Sequence, residues 1–516
     1  MRLAVLFGIQ IIFMDVLRSL LGIAVFIGLC WIFSKKKSAI SWRLVVGGLG
    51  LQLLFGVLLL KTEFVRPVVL AVSDGFVKIT EFSHQGASFV FGDLAKRNVS
   101  GIVIKDGGEG YLPGDGLEFH GKASSNATGK VLEVDESGGI TTVELSYGGR
   151  GYSAIATPNV GKVTVISHTS SKSALLEADL SFDVYGFGFS ILPSILFFSA
   201  LSSILYYLGI LQRIVFGLAW LMNRTMKLSG AECLAASANV FVGQTEAPLL
   251  VRPYLDKMTR SEILCLMTGG FATIAGGVFA VYVSFLGPEY AEHLLTASLM
   301  SAPAAIVCAK ILLPETKQVE SSLRLSAGDL GTNVFDAAAK GTSQGLLLAF
   351  NVGAILIVFT ALVGLLNYFT KDFLGEWTGL NHVIAEATDQ RFDGLTLQYL
   401  LGIAFAPFAW LVGVAPGDVT LVGQLLGEKL VLNEFVAYLN LGSYRQNEVI
   451  TDPRSLQLTA YALCGFANFA SVGIQVAGIA IIAPKQRENL AFLAWRALFG
   501  GTMACLMTAA VAGLLL

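Results

Sequence analysis

The sequence predicts an α-helical polytopic membrane protein. It should have about eight transmembrane helices, two re-entrant hairpins in an inverted repeat, and a small all-β insert outside the membrane. Three observations lead there. Of 516 residues, 54% are hydrophobic and only 14% charged, against about 25% in soluble domains, and the mean hydropathy is +0.68. Apolar runs of about 20 residues, the length that crosses a bilayer core, recur along the chain. One stretch, 97–166, is instead glycine-rich and alternates as strands do. The balance excludes a soluble enzyme and a disordered chain. A net charge of −2 gives no basic field for nucleic acid.

In chain order, spans are predicted at 16–33, 44–61, 186–212, 261–286, 290–313, 343–367, 456–483 and 493–516. Segments 231–256 and 396–413 are apolar but broken by Gly, Pro and acids. No signal peptide is evident, and Met14 is an alternative start. The 34–43 loop holds Lys35, Lys36, Lys37 and Arg43 without an acid, which places it in the cytoplasm. Alternation puts Arg213, Arg224, Lys227, Arg252, Lys257 and Arg260 on that side, followed by Lys310, Lys317, Lys485, Arg487 and Arg496. The 287–292 loop carries two acids and no base, so it and both termini face outward from a cell (inner) membrane. The resulting domains are 1–96 (scaffold spans with an outer interfacial helix at 75–92), the outer insert 97–166, a scaffold span in 167–212, a first repeat 213–316, a loop and scaffold span 317–395, and a second repeat 396–516.

Within the insert, Lys130–Val134 and Thr141–Leu145 alternate around a turn at Asp135–Gly139. Gly107-Gly108-Glu109-Gly110-Tyr111 recurs as Gly148-Gly149-Arg150-Gly151-Tyr152, which resembles the glycine–tyrosine repeats of bacterial surface proteins. Gly116, Gly121 and Lys122 are spaced almost as a phosphate loop, but Ala123 stands where Ser or Thr must hold Mg²⁺. The six cysteines lie far apart in apolar or near-apolar stretches and read as small buried hydrophobes, not disulfides or a zinc site.

A second duplication is more informative. Ala219-Trp220-Leu221 recurs as Ala409-Trp410-Leu411. Gly243, opening Gly-Gln-Thr-Glu, and Asn433, opening Asn-Glu-Phe, each follow their Trp by 23 residues. Gly270-Phe271-Ala272-Thr273 is echoed by Gly465-Phe466-Ala467-Asn468. Each unit reads as an interfacial helix, an interrupted hairpin, a glycine-broken span and a final span. An odd number of crossings separates the units, which inverts one against the other, as in secondary transporters with a site at the repeat interface.

The chemistry gathers at the interruptions. An acid at bilayer depth costs about 2.5–3.5 kcal/mol, and Glu246 and Glu434 sit at nearly matching hairpin positions among Gln244, Thr245 and Asn433. The plain alternative is a carboxylate capping a hairpin turn. Thr273 is followed by Gly276 and Gly277, while Asn468 and Ser471 lie between Gly465 and Gly473. Unwinding there would free carbonyls for a cation and N–H groups for a ligand; the alternative for the glycines is close helix packing. The set holds no basic residue, which points to a neutral, polyhydroxylated or amide-bearing ligand instead of a carboxylate or phosphate. Phe466 could stack on a flat ring or serve the core.

Four long motifs resemble the concentrative nucleoside transporter family: ANVFVGQTEAPLLVRPYL (238–255), MTGGFATIAGG (267–277), KLVLNEFVAYL (429–439) and ALCGFANFAS (462–471). The resemblance covers about 14–92 and 175–516 and leaves out the insert. It implies that Gln244, Thr245, Glu246 and Val278 meet the nucleobase. Glu434, Asn468 and Ser471 then meet the ribose hydroxyls, with Phe466 lining the site. It also implies a sodium site at Asn239, Val242, Thr273 and Ile274, a homotrimer, and an elevator motion of the repeat domain. The reading is therefore a sodium-coupled nucleoside symporter in the lipid bilayer, with sodium as coupling ion, no organic cofactor and no nucleic-acid partner. Proton coupling through Glu246 or Glu434 is the alternative; Asn239 and Thr273, as neutral oxygen ligands, favour sodium. A channel would need a filter-like run, and an enzyme a base near a nucleophile or a metal site; neither is present in the sequence. The insert's expected contact is an envelope component or a neighbouring protomer.

Overall fold

The computed structural model describes residues 2–516 except 96, 121–125, 149–161, 168–171, 183–187, 190–191 and 320–331. The elements run α1 (Arg2–Ile32), α2 (Trp42–Leu60), α3 (Arg66–Phe91), β1 (Arg97–Asp106), β2 (Gly116–Phe119), β3 (Thr128–Val134), β4 (Ile140–Tyr147), β5 (Lys162–Ile166), β6 (Leu175–Phe182), α4 (Leu192–Tyr207), α5 (Ile210–Met226), α6 (Gly230–Asn239), α7 (Ala247–Leu250), α8 (Arg252–Leu255), α9 (Arg260–Ala272), α10 (Gly276–Leu286) and α11 (Ala291–Leu312). There follow α12 (Val334–Asn367), α13 (Glu376–Thr378), α14 (Leu380–Ala387), α15 (Leu397–Val412), α16 (Val419–Val431), α17 (Glu434–Gln446), α18 (Pro453–Leu463), α19 (Phe469–Ile482) and α20 (Arg487–Gly513).

Two compact units result: 1–75 with 199–341 and 354–516, and 76–198 with 342–353. Among the described residues, six segments are long and apolar enough to cross a membrane: Met14–Ile32, Trp42–Leu60, Arg260–Leu286, Pro288–Leu312, Val334–Thr378 and Pro484–Gly513. The span expected at 186–212 is broken, because the chain bends by 76° between α4 and α5 at Gly209, whose φ is +75°. The run expected as one span at 456–483 is two short helices, α18 and α19, parted by 464–468.

The smaller unit holds a six-stranded antiparallel sheet in the order β1-β6-β5-β2-β3-β4. Its ends approach each other: Ile140 N–H donates to Gly107 O and Tyr111 N–H to Gly138 O, both at 2.9 Å. Tyr111, Leu117, Phe119, Val131, Ile140, Val163 and Leu176 fill the interior. The turn at Asp135–Gly139 forms as expected; Ser137 and Gly139 bond the Asp135 carboxylate and hold its carboxyl below the usual range. The sheet does not end at 166. Arg97 pairs with Phe182, so the β unit spans 97–182; β6 was hidden in sequence because most of its pairing is with β1, far back in the chain, and only two register pairs join it to nearby β5. Gly149–Tyr152 of the second glycine–tyrosine copy, and Gly121–Ala123 of the near phosphate loop, lie outside the described residues.

In the larger unit, two runs of helices follow one another in the chain, α5 to α11 and α15 to α20. Gln52 of α2 donates to Thr508 of α20 at 2.9 Å, and Thr508 meets Ser301 of α11 at 3.2 Å, so buried polar groups join these helices. All six cysteines are buried and unpaired. One end of this unit gathers Lys35, whose N–H meets Leu312 O at 3.1 Å, Arg260 on Asn489 at 2.8 Å, and Gln486 on Leu255 O and Met258 O. At the other end the arginines are paired with acids: Arg18 and Arg454 with Asp15, Arg391 with Asp418, Arg445 with Glu289. Lys310 is not a loop cation. It is 5% exposed, paired with buried Glu232, and donates to Ser261 at 2.9 Å; its place in the last turn of α11 carries it under α6.

Candidate functional site

Four interruptions of helix converge in the larger unit. α9 stops at Ala272 and α10 begins at Gly276; α18 stops at Leu463 and α19 begins after Asn468. The two breaks touch: Phe466 N–H donates to Thr273 O at 3.3 Å. The tip between α6 and α7 joins them through Gly276 N–H to Phe241 O at 2.9 Å. The tip between α16 and α17 places Glu434 as the first residue of α17, behind its cap Asn433. Polar bonds tie down both pairs, α6 with α7–α8 and α16 with α17. Gln486 bonds the carbonyls after α8, and in the second pair Asn440 bonds Glu428 at 2.8 Å and Tyr444 bonds Gln424 at 3.0 Å.

One pole of the site is built around Glu434, which is 3% exposed. Tyr282 OH donates to its Oε1 at 3.1 Å and Asn468 Nδ2 to its Oε2 at 2.8 Å. Asn468 Oδ1 in turn accepts from Ser471 N–H at 2.7 Å, capping α19. Both ends of that amide are engaged, so its orientation is determined. Tyr282 stacks on Tyr438 with centroids 4.3 Å apart. A buried ammonium also lies nearby: Lys429, beside the tip, donates to Ala462 O at the end of α18 at 3.0 Å.

The other pole is the first tip. Gly243 has φ +101°, a left-handed turn that favours glycine, and a Cβ there would stand 3.1 Å from the Glu246 carboxylate. Gln244, 8% exposed, donates from Nε2 to Ser471 Oγ at 3.3 Å. A single run of groups therefore links Gln244, Ser471, Asn468, Glu434 and Tyr282. Thr245 is exposed and Glu246 half-buried at the head of α7. Val278 is fully buried and Phe466 is buried at the break.

Asn239, Val242, Thr273 and Ile274 form a separate group, also inside the larger unit. Asn239 ends α6 and Thr273 caps α9. Thr273 Oγ1 lies 3.1 Å from Asn239 O and 2.9 Å from Gly269 O. Ile274 and Asn239 are each 1% exposed, and neither atom of the Asn239 amide has a partner. The carbonyls of two helix C-termini, each oxygen with a second lone pair, and an amide without a partner are a neutral oxygen set that suits a hard cation.

Sequence reasoning missed Tyr282, Lys429 and Gln475. Gln475 alone left a signal: it falls seven residues after Asn468 and four after Ser471, on the same helical face.

Known proteins share these segments. Residues 293–513 match the family model "Na+ dependent nucleoside transporter C-terminus", and 21–94 match its N-terminus counterpart. Residues 188–289 match a model for nucleoside recognition, "Gate". The β sheet falls between the two matched stretches 21–94 and 188–289. An "Uncharacterized transporter" of Haemophilus influenzae is 34% identical over 97% of this chain and 98% of its own length. Sodium/nucleoside cotransporter 1 of Mus musculus is 32% identical over 97% of this chain, which spans 64% of that protein. A solved structure of CNTnw in an inward-facing substrate-bound state aligns over 97% of both chains with a TM-score of 0.73 and 32% identity.

Proposed function

The chain belongs to the Na+-dependent nucleoside transporter family, a family of membrane-integral transporters and not enzymes, and within it we propose a sodium-coupled nucleoside importer. The observation that carries this reading is the run of hydrogen-bonding groups from Gln244 to Glu434 and Tyr282, drawn from both hairpin tips, the second break with the start of α19, and α10. Glu434, Asn468 and Ser471 take the ribose hydroxyls; Gln244, Thr245, Glu246 and Val278 take the base; Phe466 closes the side. A carboxylate with two donors already on it accepts a further O–H strongly. Sodium sits among Asn239, Val242, Thr273 and Ile274.

The paired helices are re-entrant hairpins of an inverted repeat and carry the site across the membrane as one body, in an elevator motion within a homotrimer. The protein lies in the cell (inner) membrane with the lysine-rich end inside and both termini and the 97–182 sheet outside. The sheet's role is contact with an envelope component or a neighbouring protomer.

One charge moved through 100 mV yields about 2.3 kcal/mol and a tenfold sodium gradient about 1.4 kcal/mol. One ion per nucleoside then supports roughly 500-fold accumulation. The test is uptake of labelled uridine and adenosine into proteoliposomes, with a sodium gradient and with a proton gradient at equal sodium. Sodium-driven accumulation of unchanged nucleoside is expected. Uptake that follows protons and ignores sodium would overturn the ion assignment and point to Glu246 or Glu434 as the titrating group.

A further inference from the structure

Gln475, in α19, is 1% exposed. Its Nε2 donates to Met267 O of α9 at 3.1 Å. A backbone carbonyl only accepts, so this bond decides which way the amide points. Its Oε1 has no partner. The side chain lies against Gly270: a Cβ there would overlap Gln475 Nε2 and stand 2.9 Å from Gln244 Cβ. Gln475 and Gln244 are therefore neighbours across one glycine. Gln244 gives its Nε2 to Ser471, and its Oε1 too has no partner. Two neighbouring side chains thus each bury a carbonyl oxygen with no protein donor on it, which is an uncommon and costly arrangement.

We propose that Gln244 and Gln475 form an acceptor pair for the exocyclic amino group of a nucleobase, so that Gln475 sets a preference for amino-bearing bases over their oxo counterparts. The inference rests on the nucleoside reading above. An amino group brings two N–H donors, one for each oxygen. An oxo group brings another carbonyl, and the single ring N–H beside it serves at most one of the two oxygens. Both oxygens are closed to solvent in this conformation, so the base meets them when the tip that carries Gln244 shifts.

The experiment compares kcat/KM for adenosine against inosine, and for cytidine against uridine, in sodium-driven proteoliposomes of the full chain. The wild type is expected to favour the amino member of each pair by about tenfold. Gln475→Met, of similar length and volume, should bring both ratios to within about threefold while leaving the half-saturating sodium concentration unchanged. If Gln475→Met does not assemble, Gly270→Ala, which forces the two amides apart, should give the same collapse of the ratios. Ratios near one in the wild type, or ratios unmoved in a folded variant, overturn the inference while nucleoside transport stands. A wild type that takes up none of the four nucleosides overturns the nucleoside reading itself, and this inference with it.

Discussion

α16 and α17 each run thirteen residues to a tip where Glu434 is 3% exposed and takes hydrogen bonds from Tyr282 and Asn468. Behind that tip, Glu428 is held by Gln424 and Asn440, both at 2.8 Å. The first pair reaches the site otherwise. α6 has ten residues, and the return path is two four-residue turns, each with a proline, Pro248 and Pro253. At its tip Thr245 is exposed, Glu246 half-buried, and Gln244 makes one bond, at 3.3 Å, to Ser471. The second tip is over-determined, the first lightly held. A nucleoside has one constant part and one variable part, and under the proposed orientation the ribose meets the stiff tip and the base meets the adaptable one.

The contrast can be broken by mutation, most severely at the stiff tip. Glu434→Gln keeps the shape but removes the charge that two donors address. The kcat/KM for every riboside should fall about 100-fold, since hydrogen bonds to charged groups contribute about 1.5–3 kcal/mol each. The ratio between bases should hold; a change in base preference with ribose recognition intact would turn the ligand end for end. Next in size, Asn239→Ala or Thr273→Ala should raise the half-saturating sodium concentration about tenfold, measured as uptake against sodium at fixed nucleoside, with the base ratios unmoved. Gln244→Ala should shift base preference about three- to tenfold, the worth of one neutral hydrogen bond, and leave discrimination against 3′-deoxyribosides as it was. Smallest is replacement of 97–182 by a short Gly/Ser linker. Because Arg97 and Phe182 are register partners, their flanks need little bridging, and sodium-driven uptake per folded protein should stay within about twofold. Loss of uptake in a folded, assembled variant would make the sheet a working part of transport.

Most of the helical course was legible because the apolar runs follow bilayer thickness, as at 44–61 and 290–313, which match α2 and α11 within a few residues. Pairings between distant segments were not. β6 was assigned to the approach of a span because its leucines adjoin one, and its partnership with β1 is visible only in register. Lys310 was counted among the cations that set orientation because nothing local to it announces its buried partner Glu232, far back in the chain. At the site, the residues named from the tips and breaks Gln244, Glu434, Asn468 and Ser471 do come together. Tyr282 escaped notice because a tyrosine in an apolar helix looks like core until its hydroxyl is seen on Glu434.

The bond from Phe466 N–H to Thr273 O has a thermodynamic consequence. Thr273 belongs to the proposed ion group and Phe466 to the proposed ligand group, so one peptide carbonyl is shared between a cation's surroundings and the wall of the nucleoside site. Whatever factor sodium adds to nucleoside affinity, the nucleoside must return to sodium affinity. Under the proposed reading, a carrier whose ion group and ligand group meet at this bond disfavours movement with a single passenger, and slippage, the wasteful return of an ion without its cargo, is held down at that junction.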